Sequence, residues 1–222
     1  MPRRSRWILV LLPAALALLL LAAWAGLVRM GWEWPLSRRL ALLHGPVVVS
    51  GFLGTVIGLE RAVAFRRPWA YGAPAGAAVG TLLLVTNAAP GPGLLVLVGA
   101  GIVLCLVYFL AYRRQPASFT AVMGLGGACW LAANVLYAAG RPVHVAALWW
   151  MGFLVLTIAG ERLELSRMVP RSRGSETVFL ALAAVYLAAL VLALFAYGPA
   201  GRLAGAALLG FTLWLWRYDG KK

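Results

Sequence analysis

The stretch Leu43–Arg67, LHGPVVVSGFLGTVIGLERAVAFRR, decides how this chain is read. It opens on His44, one of only two histidines in 222 residues. No charge follows until Glu60 and Arg61. With its flanks, the apolar run covers Leu40–Phe65, long enough to cross a hydrocarbon layer as a helix, which needs about 20 residues. A helix with a histidine at one end and an acid–base pair at the other poses two separate chemical questions.

The rest of the chain resembles this stretch in composition. Hydrophobic residues make up 63%, charged residues 12%, and mean hydropathy is +0.88. No soluble domain of this size buries that much apolar surface, so lipid is the expected solvent. The net charge of +14 would suggest nucleic acid in a soluble protein. Here the basic residues sit in short clusters between apolar runs, as topology signals do, and nucleic acid is not an expected partner. Cys105 and Cys129 lie inside apolar runs without CxxC spacing and read as small core residues. The N-terminal stretch has a basic head and an Ala23-Trp24-Ala25 site like that of a signal peptide. Its apolar body, Trp7–Val28, is 22 residues long, beyond the ~7–15 of a signal sequence, and is expected to stay as a helix.

Eight spans are expected: Trp7–Val28, Leu40–Phe65, Trp69–Ala88, Leu94–Tyr112, Phe119–Ala139, Val143–Leu163, Val178–Tyr197 and Pro199–Tyr218, the last being short. NAAPGPG (Asn87–Gly93) and YGPAG (Tyr197–Gly201) read as tight turns. With both termini cytoplasmic, 15 of the 20 Lys and Arg residues fall on the inner side and 5 on the outer. That distribution is expected of a multi-pass protein in a bacterial-type inner membrane.

An internal repeat shapes the fold expectation. GFLGTVIGLER (Gly51–Arg61) aligns with GFLVLTIAGER (Gly152–Arg162), and a histidine precedes each, His44 and His144. The chain therefore reads as an all-α membrane protein of two parallel four-helix repeats, 1–114 and 115–222, forming one domain about an axis along the membrane normal.

The repeat brings His44 and His144 to one depth near the outer face. Glu60 and Glu161 lie about 24 Å away at 1.5 Å per residue. Two histidines on facing helices are the minimum set for axial ligation of a haem iron. Gly51 and Gly152 leave room for a flat porphyrin or, equally, for a neighbouring helix. Copper would need a third ligand, and Met123, Cys129 and Met151 are the only soft candidates nearby. The competing reading makes the histidines interfacial hydrogen-bonding residues. His-to-Glu spacings of 16 and 17 rotate one histidine ~100° relative to the other on ideal helices. Glu60–Arg61 and Glu161–Arg162 are expected to clamp the repeats, Glu60 reaching Arg162 and Glu161 reaching Arg61. A proton route or a haem-propionate contact is the alternative.

His44 followed by Gly51, Gly54 and Thr55 resembles the His-bearing helices of the NnrS family, bacterial membrane proteins that carry haem and copper and are linked to nitric-oxide stress. The resemblance implies haem ligation by His44 and His144. The family's other histidines are missing here, and the repeat around His144 and Gly152 matches less well. The expected function is thus a membrane protein holding a b-type haem, for electron transfer or diatomic-gas chemistry, with a redox partner protein and self-association as further expectations. The alternative is a transporter or channel with its path at the repeat interface. HExxH, GxSxG, P-loop and paired metal carboxylates are absent from the sequence, so no reaction is assigned.

Overall fold

The computed structural model describes residues 3–35, 37–165 and 173–219. Of the residues used in the orientation argument, Arg167, Arg171, Lys221 and Lys222 lie outside the described residues. Among those described, the chain is helical without strands. In order, the elements are α1 (Arg3–Arg29), α2 (Arg38–Leu42), α3 (His44–Pro46), a π-helix (Val47–Leu53), α4 (Gly54–Phe65), a 3-10 turn (Pro68–Tyr71), α5 (Gly72–Thr86), α6 (Pro90–Arg114), α7 (Ser118–Ala138), α8 (Val143–Leu165), α9 (Arg173–Leu192) and α10 (Tyr197–Asp219).

Seven segments of the described residues are long and apolar enough to cross a membrane. They are Arg6–Arg29, His44–Phe65, Pro68–Thr86, Pro90–Arg114, Ser118–Ala138, Val143–Leu165 and Gly174–Leu192. The eighth expected span is a helix of 23 residues, α10, but falls outside that set. It packs on α9 through Ala200, Ala204, Ala207, Phe211 and Trp214, spaced three and four apart so that they share one helix face. Phe179 of α9 meets Phe211 and Trp214 at centroid distances of 5.6 and 5.0 Å.

Both tight turns are shorter than the sequence suggested. Pro90 starts α6, so Pro90–Gly93 form its first turn, where a missing N–H costs nothing. Asn87 ends α5 in the left-handed conformation, φ 59°. Tyr197 likewise begins α10 rather than ending the helix before it.

The second span is not one regular helix. Pro46 lacks an N–H and its ring crowds the preceding turn, so the chain breaks at Leu43 and resumes as a π-helix over Val47–Leu53. The wider turn bonds Gly54 N–H to Val49 O. The Thr55 hydroxyl donates to Gly51 O at 2.6 Å. The first His-to-Glu interval therefore departs from ideal α geometry, and the ~100° rotation expected on ideal helices does not apply to it. Its counterpart, α8, is α-helical throughout.

Neighbouring helices pack in sequence, α5 on α6, α6 on α7 and α7 on α8, while α1 lies along the second span. The α7–α8 contact is close because small residues line it. A Cβ on Gly160 would come within 2.5 Å of Met123 Cγ, and one on Gly126 within 2.9 Å of Thr157 Oγ1. Large apolar side chains such as Leu20, Leu95, Phe109 and Ile158 are exposed, as a lipid-facing surface requires. Trp24, Trp32 and Trp34 cluster edge to face near the end of α1, in the manner of an interfacial aromatic belt.

Candidate functional site

Three levels of polar groups run down the second span. At its far end, the Arg61 side chain is only 14% exposed. Its Nη2 lies 2.5 Å from Glu60 Oε1 and 3.1 Å from Glu161 Oε1, and its Nη1 lies 4.0 Å from Glu164 Oε2. Nη1 also donates to Met123 Sδ at 3.6 Å. One guanidinium thus ties the second span to α7 and α8. Half of the expected crossed clamp, Arg61 to Glu161, is present. In the other half, Glu60 turns to its own neighbour Arg61, and Arg162 is exposed. The clamp is centred on Arg61, whose side chain is 14% exposed and meets Glu60, Glu161 and Glu164. Glu164 was missed in the sequence, although its spacing of three from Glu161 places both on one helix face.

A cavity of about 260 Å³ opens beside this cluster, lined by Arg61, Tyr108, Arg114, Gln115, Met123 and Glu164 among others. Arg61 Nε is buried without a hydrogen-bond partner among the described residues, and the buried Tyr108 and Thr157 hydroxyls have at most each other. Such groups cost free energy unless something pairs with them.

Midway along the bundle is a fully buried network. Ser50 Oγ donates to Asn134 Oδ1 at 3.1 Å, and Trp150 Nε1 donates to the same oxygen at 3.1 Å. Trp130 Nε1 donates to Ser50 Oγ at 3.1 Å, and Asn134 Nδ2 to Leu97 O at 3.5 Å. Ser50 and Asn134 are 0% and 1% exposed. The network sets helix register. Ser50 lies six residues after His44, and Trp150 six after His144. Both reach one oxygen of α7, while Arg61 and Glu161 meet at the far end. The second span and α8 therefore run parallel, with His44 and His144 at the same end.

The two imidazoles have different neighbours. His44 Nδ1 lies 2.7 Å from Ala22 O of α1. A carbonyl only accepts, so Nδ1 carries a proton, and in the neutral tautomer with that proton the lone pair is on Nε2. The ring lies over Gly26, where a Cβ would come within 2.9 Å of the imidazole. His144 is exposed and packs edge to face on Tyr197, centroids 4.7 Å apart. Gly51 and Gly152 have their open faces filled by neighbouring helices. A Cβ on Gly51 would meet Thr81 Cγ2 at 2.8 Å, and one on Gly152 would meet Leu190 Cδ1 at 2.8 Å and Cys129 Sγ at 3.2 Å. Cys129 is packing material, and no cluster of three or more His, Cys, Asp or Glu suited to a metal ion occurs among the described residues.

Residues 6–222 match the model of a family described as Domain of unknown function (DUF8744). No curated protein and no solved structure matches the chain. The chain belongs to the DUF8744 family, and its site has to be read from its own geometry.

Proposed function

We propose that this DUF8744 member is an integral membrane haem protein, in which His44 and His144 would hold the haem iron. It would serve electron transfer to a partner protein or chemistry of a diatomic gas such as nitric oxide. The observation that carries the reading is the pinned His44 ring. Ligating histidines characteristically donate their second ring nitrogen to a carbonyl or carboxylate, which fixes the tautomer and aims the other nitrogen. Nδ1 on Ala22 O gives His44 that preparation. The common level of His44 and His144, and the resemblance of the His44 segment to NnrS, support the pairing. To share one iron with His44, His144 would have to leave its edge-to-face contact with Tyr197. Neutral imidazole is the donor that b-type haem takes, so the two side chains suit the iron, whereas the faces of Gly51 and Gly152 are filled and would not receive the porphyrin.

The test compares haem content across variants of the full chain made with ample haem. His44→Ala is expected to lose the bound haem, and His144→Ala to convert a low-spin spectrum to high-spin. Gly26→Val should act like a partial His44 lesion, because its side chain displaces the imidazole from Ala22 O. Unchanged haem content in His44→Ala would remove the reading.

The lysine and arginine distribution supports an inner-membrane protein with both termini cytoplasmic and α10 as an eighth crossing. Reporter fusions after Pro92 and after Arg114 should then report opposite sides, and a fusion at the C-terminus the same side as one after Arg114. A C-terminal fusion reporting the other side would leave α10 uncrossed.

A second reading, a path for protons or small ions, is favoured by the cavity at Arg61 with its buried polar groups. Intramembrane ionisable residues commonly mark such paths. Proton flux in liposomes that falls in Arg61→Gln, with no haem bound, would select it.

A further inference from the structure

We propose that the face of the bundle bearing the start of α1 holds a site for the phosphate of an anionic phospholipid. The site is a groove of about 610 Å³, lined by Arg6, Trp7, Arg66, Arg67, Pro68 and Tyr71. Three guanidinium groups converge there from segments sixty residues apart in sequence, and the lining contains no acid. None of the three has an ion pair or side-chain hydrogen bond with another described residue. A cluster serving only as a topology signal needs no walls. This one is built. Arg66 ends α4 in the left-handed conformation, φ 62°, its N–H bonded to Ala62 O. That turn reverses the chain and puts Arg66 and Arg67 beside the first turns of α1. Trp7 stacks on Tyr71, centroids 5.6 Å apart at 21°, and forms an apolar wall.

Tyr71 supplies an independent observation. It is 3% exposed, and its hydroxyl is buried with no hydrogen-bond partner among the described residues. A buried donor is costly until an acceptor reaches it. A phosphodiester provides acceptor oxygens for the arginines and the tyrosine together, and guanidinium is well matched to phosphate. The exposed apolar side chains Trp7 and Val10 on α1 continue the groove along the membrane-facing surface, as an acyl chain requires. A zwitterionic headgroup brings its own cation into a groove that already holds three, so the site should prefer phosphatidylglycerol to phosphatidylcholine.

The experiment measures binding of phosphatidylglycerol, phosphatidylcholine and inorganic phosphate separately to the full chain in neutral detergent, by native mass spectrometry or thermal shift. Each surface arginine contributes about 1 kcal/mol toward anionic lipid, about fivefold in affinity. Arg66→Gln with Arg67→Gln should therefore weaken phosphatidylglycerol binding roughly 25-fold. Tyr71→Phe should weaken it several-fold while leaving the fold intact. Arg113→Gln is the control, a cation of the same face that sits over Phe109 outside the groove, and it should change nothing. Equal binding of the two lipids, an unchanged double variant, or an equal loss in the control would overturn the site. Tight binding of inorganic phosphate that phosphatidylglycerol does not displace would make the ligand a free phosphate and overturn the lipid assignment.

Discussion

Replacing Arg61 with Leu should destabilise the protein more than removing any one of its partners. Three carboxylates, Glu60, Glu161 and Glu164, face this one cation. Breaking a buried pair on one side costs about 3–5 kcal/mol, because the other charge is left uncompensated. Here the carboxylates are a third to a half exposed, with side chains 55%, 31% and 36% accessible, so water recovers part of that. We expect a loss of about 2–3 kcal/mol on discounting those values for solvent. Glu161→Gln should cost less. Glu60→Gln, at the most exposed carboxylate, should stay within about 1 kcal/mol. The order Arg61, Glu161, Glu60 in thermal or denaturant unfolding is the check. Adding Glu161→Gln and Glu164→Gln to Arg61→Leu should recover stability, since the repulsion left behind is removed. Equal effects from all three single variants would mean that the cluster is solvated and ties nothing together.

Asn134→Leu should produce an effect of similar size by a different route. Leucine fills much the same volume, but Ser50 Oγ and Trp150 Nε1 lose their shared acceptor in the apolar centre of the bundle. Interhelical hydrogen bonds within membranes average about 0.6 kcal/mol and reach about 1.7, and an orphaned buried donor costs about 1–3. Two orphans give an expected loss of about 2–4 kcal/mol on those figures. Trp150→Phe alone should cost roughly 1 kcal/mol for the single bond. In the Asn134→Leu background it should cost almost nothing or restore stability, because its N–H is already unpaired. A cycle in which the two effects simply add would show that the bond carries no energy. The shared register of His44 and His144 would then lack that energetic support.

The sequence and the structure agree where a physical signal repeats along the chain. Long apolar runs bounded by arginine, glycine and proline mark the helices, because burial in lipid demands such runs regardless of packing. The repeated Glu-Arg ending pointed to Arg61 and Glu161, since paired charges at matching positions of parallel helices tend to meet. The polar network was not legible. Ser50 and Asn134 are single polar residues in apolar runs, and nothing in their spacing says that they share two tryptophans. The π-helix was also hidden. Pro46 signals an irregular start, but which hydrogen bonds replace the α pattern depends on α1 and α5 packing against Gly51. The glycines near the histidines show the same limit. A small residue on a helix face permits close approach, and only the fold shows that Thr81, Leu18 and Leu190 take up the space. The arginine groove escaped notice because Arg6 and Arg66 become neighbours only when α1 lies along the second span.

The central claim is that this bundle binds haem through His44, and the visible absorption spectrum of the full chain, purified from cells supplied with haem, tests it most directly. The account predicts a Soret band with the sharp reduced bands of a low-spin, bis-histidine b-type haem, at one haem per chain, and its loss in His44→Ala. A colourless protein that is folded and stable, or a spectrum indifferent to His44, would contradict it.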